Sequence, residues 1–294
     1  MPTHALLGAT GASGSAVLRC YLESPPQDLN LNVFVRSKAK LVKAFPDLES
    51  TSSPRITIVE APITDSQALQ SCLRGAEVIH SCIATNDAKP GNRVSQNIAQ
   101  ALVSALTSIR QEDKGRNYNK PTVIMIRAAP LNPDFSGHMP SLVYRWLWFV
   151  LYHVYSDLEK ASKIYADSSA DLLEYIFVDA PALFDAEGVE RTGHRLLAEG
   201  DSDAAASAGV NYADLGAAFV EIAQRKEEFA GKGVGVSATG AVREQWGVLL
   251  GYRMAGLKTR IWGRGVIWSH IPHSKAVKAS FSMGKSFTCC LAGF

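Results

Sequence analysis

The segment Gly8-Ala-Thr-Gly-Ala-Ser-Gly14 is the clearest indication of the fold in this sequence. It follows the short apolar run Ala5–Leu7 and precedes a segment whose apolar residues recur at helical spacing from Val17 to Leu22. Three glycines between a strand and a helix are typical of a dinucleotide phosphate-binding loop. The first glycine permits a tight turn, the second lets the backbone approach a pyrophosphate, and the third allows close packing. An ordinary Gly-rich turn is the alternative, and the strand–turn–helix context at the start of the chain favours nucleotide binding.

The segments that follow alternate between β-rich runs and helical periodicity. We predict further strands at Leu31–Val35, Ile56–Val59, Val78–Ala84 and Val123–Ile126, with helices between them. Such alternation specifies a parallel sheet with right-handed crossovers and helices on both faces. The predicted fold class is therefore α/β, a Rossmann-type doubly wound parallel sheet with a small C-terminal region that covers the substrate.

The second half of the chain continues this pattern less regularly. We predict a helix from about Ser156, a strand at Tyr175–Val178, a helix after Asp214, a strand at Val234–Ser237 and a helix from about Val242. We expect residues 1–264 to form one domain, whose substrate-covering elements come from 130–155 and 180–264. Residues 265–294 lose clear periodicity and are taken as a tail of unassigned role.

Composition excludes several classes of protein. The 294 residues are 47% hydrophobic with a net charge of +2, and they contain no basic run of the kind that binds nucleic acid. The five cysteines show no metal-ligand spacing, so no metal site is predicted, and they suit a reducing compartment. An apolar strand begins within a few residues of Met1 and leaves no room for a signal peptide, so we expect a cytoplasmic protein.

One apolar stretch, from Trp146 to Tyr152, is rich in aromatic residues. A membrane-spanning helix needs about 20 apolar residues, so this stretch is too short to be one. It follows the fifth predicted strand, where ligands bind in doubly wound folds, so a lid over a large, planar, apolar substrate is one interpretation. A helix buried against the sheet is the other, and contact with a membrane interface is a third.

The residues after the second strand indicate which nucleotide binds. NAD-binding folds carry an acidic residue here that accepts hydrogen bonds from the ribose 2′-hydroxyl. This chain has Arg36, Ser37 and Lys38 instead. Guanidinium, hydroxyl and ammonium groups bind a 2′-phosphate that a carboxylate would repel, so the sequence predicts NADP(H), with a solvated basic loop as the alternative.

Several motifs resemble those of the atypical short-chain dehydrogenase/reductases, the branch that includes NmrA-like proteins. They are the glycine loop, Val35-Arg-Ser-Lys38, Ile63-Thr-Asp65, Ser81-Cys-Ile-Ala-Thr-Asn86, Tyr175-Ile-Phe-Val-Asp-Ala-Pro-Ala-Leu183 and Tyr212-Ala-Asp-Leu-Gly216. A narrower set is similar to the averufin-oxidase-A-like proteins of fungal aromatic polyketide pathways. It comprises Ser81–Asn86, Leu131-Asn-Pro133, Thr192-Gly-His194 and Val236-Ser-Ala-Thr-Gly240. That resemblance implies anthraquinone- or xanthone-type substrates.

The resemblance also implies positions for the cofactor. The loop contacts to the phosphates would come from Gly8, Thr10, Gly11, Ala12, Ser13 and Gly14. The region of the nicotinamide ribose would be lined by Ser81–Thr85, which includes Cys82, Ile83 and Ala84. Ile63 would lie near the adenine, where Pro62 replaces the usual Asp.

Catalytic residues are less clearly marked. Most short-chain reductases pair a Tyr with a Lys four residues later, because an ammonium beside a phenol lowers the phenol pKa. Here Tyr155 and Lys160 are five residues apart, so the pair is predicted to converge only if Tyr155 precedes the helix. The usual Ser after the fifth strand is replaced in Arg127-Ala-Ala-Pro130.

Other polar residues are weaker candidates. Arg127 ends a buried strand and is a candidate to hold a cofactor phosphate or an acidic substrate; a salt bridge to a neighbouring helix is the alternative. Asp179 stands where many relatives have Arg. His80 is expected to be a hydrogen-bonded core residue, and His138 and His194 lie in loops that could border a pocket.

Three functions remain open from the sequence. The first is an NADPH-dependent oxidoreductase acting on a small apolar aromatic molecule of polycyclic or quinone type, with Tyr155, water or a substrate phenol as the proton source. The second is a non-redox isomerase or cyclase on the same scaffold. The third is an NmrA-like regulator that senses the dinucleotide.

Overall fold

The part of the chain that the structure describes forms a main sheet of eight strands. The computed structural model describes residues 1–113, 118–137, 139–200, 207–242 and 246–262. The strands of this sheet are β1 (Thr3–Leu7), β2 (Asn30–Val35), β3 (Arg55–Glu60), β4 (Val78–Ser81), β5 (Thr122–Ala128), β6 (Glu174–Ala180), β8 (His194–Ala198) and β10 (Lys232–Ala238). Their order across the sheet is β3-β2-β1-β4-β5-β6-β10-β8, and all pairings are parallel except that of β8 with β10. A second sheet pairs β7 (Ala182–Phe184) with β9 (Gly209–Asn211).

Helices cover both faces of the main sheet. In chain order they are α1 (Ala12–Glu23), α2 (Lys38–Ala44), α3 (Ser66–Leu73), α4 (Val94–Glu112), α5 (Pro133–Ser136), α6 (Ser141–Val150), α7 (Tyr152–Asp167), α8 (Tyr212–Gln224), α9 (Lys226–Phe229) and α10 (Trp246–Trp262). Side chains alternate between the two faces along each strand, as on any pleated sheet. Leu6 of β1 therefore packs with α1 and α8, whereas Leu7 packs on the other side with α3, α4 and α7. This arrangement confirms the predicted doubly wound α/β fold.

Close helix packing on the first face depends on a small residue. A Cβ added to Gly216 of α8 would overlap the backbone of Ala16 in α1. The absence of a side chain lets the two helix backbones approach each other, and this places α8 beside the N-terminal part of α1.

Two of the element boundaries that differ from the predicted ones affect the site. The strand predicted at Val78–Ala84 ends at Ser81, because its neighbour β1 ends at Leu7 and the final bond joins the Cys82 N–H to the Leu7 carbonyl. The helix predicted from about Ser156 begins at Tyr152. Tyr155 therefore lies within α7, and this position matters for the catalytic prediction.

The described helices include none that has both the length and the apolar character needed to cross a bilayer. The 146–152 stretch is divided between α6 and α7, with Leu151 at the junction. The predicted tail, residues 265–294, lies outside the described residues.

Candidate active site

The glycine loop makes a tight turn between β1 and α1. Gly8 has φ +92°, a conformation that residues with a side chain rarely adopt. The Gly11 N–H donates to the Gly8 carbonyl over 2.9 Å, and the Ser15 N–H donates to the Gly11 carbonyl over 2.8 Å. The turn thus leads directly into the first turn of α1.

Each glycine in the loop faces different surroundings. A Cβ on Gly8 would lie 2.9 Å from the Cys82 carbonyl oxygen, and one on Gly14 would overlap the Gly8 carbonyl. A Cβ on Gly11 would meet only the Gly8 carbonyl, at an ordinary 3.4 Å, and Gly11 is exposed. Gly8 and Gly14 are therefore required by the protein's own packing, whereas the fold does not explain Gly11. The open space at Gly11 is what a phosphate approaching the backbone needs.

The N-terminus of α1 has the electrostatics of an anion site. Its N-cap residue is Gly11, which makes no side-chain cap, and its first turn contains no acidic residue. The backbone N–H groups at Ala12 and Ser13 and the positive end of the helix dipole face the loop. These features fit a dinucleotide pyrophosphate, with Thr10 completing the turn.

The three residues predicted to select the nucleotide have different partners. Ser37 caps α2 by accepting from the Lys40 N–H, and the Lys38 ammonium pairs with Glu49 over 2.7 Å. That pairing raises the pKa of Lys38. Arg36 is exposed and forms no ion pair with any residue that the structure describes. Of the three, Arg36 has the cationic group that is available to a 2′-phosphate.

The end of β4 lies against the glycine loop. Besides the Cys82 carbonyl, the Ile83 side chain would touch a Cβ on Gly8, at 3.0 Å. Beyond this contact, Ala84 and Thr85 line a large cavity. Residues 82–85 therefore connect the phosphate loop to the cavity, as the predicted nicotinamide-ribose region requires. Ile63 is partly buried and packs against the core on the α3 side.

The cavity, of about 590 Å³, opens at the carboxyl edge of the sheet. Its walls come from the ends of β4, β5 and β6, from the segment that contains α5 and α6, and from the start of α7. Most of the lining is apolar, including Phe135, Leu147, Val154 and Leu158. The charged residues in the lining are Arg127, Asp185 and Arg253. The segments predicted to cover the substrate, 130–155 and 180–264, both contribute to it.

Tyr155 and Lys160 are not brought together. Both lie on α7, but Tyr155 is buried in the cavity wall whereas Lys160 is exposed. The helix begins before Tyr155, so a five-residue step turns the two side chains to different faces. The condition under which the pair was expected to converge is not met.

The cation that acts on Tyr155 is Arg253 of α10. Burial raises the pKa of Tyr155 above its ordinary value, and the Arg253 guanidinium opposes that rise. Arg253 also stacks on the Trp146 ring, with its guanidinium carbon 5.3 Å from the ring centroid. Burial in turn lowers the pKa of Arg253. No motif in the sequence marks this residue, because α10 follows an irregular segment and joins the site only through the fold.

Arg127 forms a bidentate ion pair, but with a strand rather than a helix. Its guanidinium donates two 2.6 Å bonds to Asp179 of the adjacent strand β6, and it lies 4.6 Å from the Phe177 ring centroid. Asn132 donates to both Asp179 and Glu199. Burial raises the pKa of Asp179, against the opposing effect of Arg127. Arg127 is thus held at the cavity floor by a network that the sequence did not reveal.

A second buried carboxylate fixes the loop before β8. Asp214 accepts hydrogen bonds from the Thr192 N–H, the Thr192 hydroxyl and the Gly193 N–H, at 2.8–3.1 Å. Asn211 accepts from the Asp214 N–H. The Tyr212–Gly216 motif therefore has a structural role, which is to secure a loop to the start of α8.

Two of the predicted histidines, His80 and His194, do not enter the cavity lining. His80 is fully buried and shares a hydrogen bond with the Tyr21 hydroxyl, and the Nε2 of His194 lies 2.9 Å from a Glu221 carboxylate oxygen. The expectation of a hydrogen-bonded core residue at His80 holds for its Nε2, whereas its buried Nδ1 has no hydrogen-bond partner among the described residues. His138 lies outside the described residues.

Known proteins resemble this chain closely. A family model described as NAD(P)H-binding matches residues 8–226. Averufin oxidase A of Dothistroma septosporum is 48% identical over 88% of this chain and 92% of its own length. Averufin oxidase A of Aspergillus flavus is 43% identical over 89% and 91%. Oxidoreductase AgnL4 of Paecilomyces divaricatus is 33% identical over 85% and 91%.

Solved structures agree on the fold. A short-chain dehydrogenase/reductase of Veillonella parvula, in complex with NADP, aligns with a TM-score of 0.59 at 18% identity, over 81% of this chain and 95% of that one. The family model matches most of the chain, and the alignments with these three relatives cover nearly all of each relative's length. The chain belongs to the NAD(P)H-binding family of Rossmann proteins, in the group that contains the averufin oxidases.

Proposed function

We propose that this protein is an NADPH-dependent oxidoreductase that acts on a polycyclic aromatic small molecule of anthraquinone, xanthone or quinone type. The observation that carries the proposal is the apolar cavity of about 590 Å³ that adjoins the glycine loop at the carboxyl edge of the sheet. Doubly wound folds bind the cofactor and substrate at this edge. Ligand cavities of this size and apolar character suit a fused-ring molecule.

The preference for NADPH over NADH is proposed from Arg36. Ser37 is used as a helix cap and Lys38 is paired with Glu49, so Arg36 supplies the charge-assisted contact to the 2′-phosphate. Glu60 is an acidic residue close to the same loop. Its carboxylate is already bound within the protein, because it accepts a hydrogen bond from the Lys38 N–H over 2.9 Å. The Veillonella protein that shares the fold was crystallised with NADP.

The substrate class is proposed from two independent sources. Relatives at 43–48% identity are named averufin oxidases. The cavity walls offer broad apolar surfaces, and the charged groups that line it are few. A planar aromatic substrate would bury its faces against these walls, and its oxygen substituents would meet Tyr155 and Arg253.

The nicotinamide ring, when bound, supplies or accepts the hydride. Tyr155 remains protonated at neutral pH, because burial holds its pKa above 10, and it therefore serves as a proton donor rather than a base. Arg253 stabilises negative charge on a substrate oxygen beside it, and the apolar walls exclude water from the reacting atoms. Arg127 keeps the floor of the cavity in place through Asp179.

The non-redox isomerase and the dinucleotide-sensing regulator are not favoured, since the relatives are named as oxidases and oxidoreductases. Incubation of the protein with NADPH and a panel of hydroxyanthraquinones, with product detection, tests the choice. The proposal predicts product in proportion to the nicotinamide oxidised. Product formed with no change in the nicotinamide absorbance would establish the isomerase instead.

A further inference from the structure

Apolar side chains are exposed on two neighbouring helices at the rim of the cavity. Leu142 of α6 is 79% exposed, and Leu250 and Met254 of α10 are 55% and 54% exposed. The same surface includes Val143, Trp146 and Phe149, each about 40% exposed or more. We call these six residues the rim surface. Exposed apolar clusters of this kind mark contact sites for a partner or a membrane.

The rim surface borders the cavity opening that the substrate would use. Val143 belongs to the rim surface and also lines the cavity, and Trp146 stacks on the cavity residue Arg253. Whatever covers the rim surface therefore lies against the cavity entrance.

The two helices that carry the rim surface are positively charged. Neither α6 nor α10 contains an Asp or Glu, and Arg145 and Lys258 are exposed. From residue 245 to the C-terminus the sequence has no acidic residue and seven basic ones, Arg253, Lys258, Arg260, Arg264, Lys275, Lys278 and Lys285. The whole chain has a net charge of only +2, so the positive charge is concentrated in this part of the sequence.

We propose that the rim surface docks onto an anionic lipid bilayer, so that the cavity opens toward the membrane interface. Trp and other aromatic side chains favour the headgroup region, and leucines enter the acyl boundary. Basic residues beside such a surface add attraction to anionic headgroups. A cavity facing the bilayer would receive apolar substrates that partition into lipid, and the docking itself does not depend on which reaction the protein catalyses.

Vesicle sedimentation of the full-length protein tests this proposal. Phosphatidylcholine vesicles that contain phosphatidylserine should bind the protein at least several-fold more than phosphatidylcholine alone, and high salt should reduce the difference. The double variant Leu142→Glu/Leu250→Glu should lower binding by at least about tenfold, since it removes two insertable side chains and adds repulsion. Neither residue lines the cavity, so turnover of a dissolved substrate should be unchanged.

Val189→Glu is the matched control, because Val189 is 56% exposed and lies outside the rim surface. It should bind vesicles as the unaltered protein does. Three results would overturn the proposal: no binding to anionic vesicles, an equal loss in the Val189 variant, or a concentration-dependent dimer that Leu142→Glu/Leu250→Glu dissociates. The last result would assign the rim surface to a second copy of the chain.

Discussion

Tyr155 and Lys160 show how one helix boundary changes a catalytic assignment. The structure leaves Tyr155 in the cavity and Lys160 exposed on α7. We expect Tyr155→Phe to lower turnover by about two to four powers of ten, the usual contribution of a positioned general acid, with cofactor affinity retained. Lys160→Met, on the same helix, is the control and should keep normal turnover. A slow Lys160 variant or a fully active Tyr155 variant would remove Tyr155 as the proton donor in the form proposed here.

Substitution of Arg36 tests the choice of nucleotide. Arg36→Asp should weaken NADPH binding by roughly 2–3 kcal/mol, because a charge-assisted contact becomes a repulsion, and should change NADH binding much less. Titration calorimetry with both nucleotides measures the difference. An equal loss for the two would place the 2′-phosphate away from Arg36. Lys40→Asp, an exposed change of the same charge on α2, controls for general electrostatics.

Substitutions in the strand–turn–helix element at the N-terminus distinguish the requirements of nucleotide binding from those of folding. Gly11→Val should abolish nucleotide binding while the protein stays folded, because a Cβ there meets no close neighbour. Gly14→Val should lower the melting temperature, because its Cβ would overlap the Gly8 carbonyl. Thermal unfolding and calorimetry of both variants check this. Unchanged nucleotide affinity in the Gly11 variant would contradict a phosphate site in this loop.

At the level of elements, the sequence predicted what local patterns encode. The glycine loop, and the parallel sheet that the alternation of strands and helices implies, follow from residues close in the chain. The partners of Arg127 do not, because Asp179 and Asn132 lie far from it in sequence and meet it only across the folded sheet. Arg253 escaped prediction for the same reason. The shorter β4 depends on where β1 ends, which is a property of the pair rather than of either strand.

A pH-dependent loss of stability is expected for the whole molecule. His4 and His80 share the Tyr21 hydroxyl in the buried core, at 2.8 and 2.7 Å. Burial, with a smaller effect of Lys226, lowers the pKa of His4 from 6.5 to about 4, and burial lowers that of His80 as well. The folded state therefore holds both imidazoles neutral, whereas the unfolded chain takes up protons below 6.5.

The contribution of the neutral His4 and His80 to the free energy of unfolding is complete above pH 6.5 and decreases as the pH falls toward 4. Between about pH 7 and pH 5 the His4 contribution amounts to a loss of about 2 kcal/mol in the free energy of unfolding. Urea denaturation at the two pH values measures it. His4→Gln should reduce the pH dependence even though it weakens the protein at neutral pH; a pH dependence identical to that of the unaltered chain would refute this origin.

The two faces of the sheet and its carboxyl edge have different roles in the molecule. The faces bury the apolar core, and the edge gathers the glycine loop, Arg36, the cavity and Tyr155 from segments distant in sequence. We propose that hydride transfer between the nicotinamide and the substrate takes place at this edge. The most direct test uses NADPH that carries deuterium at both hydrogen positions of the nicotinamide C4 and a hydroxyanthraquinone as acceptor, with the carbon-bound label in the product analysed by mass spectrometry. We expect the product to gain deuterium at carbon; a product formed without the label, or labelled only from solvent, would rule out hydride transfer from the nicotinamide.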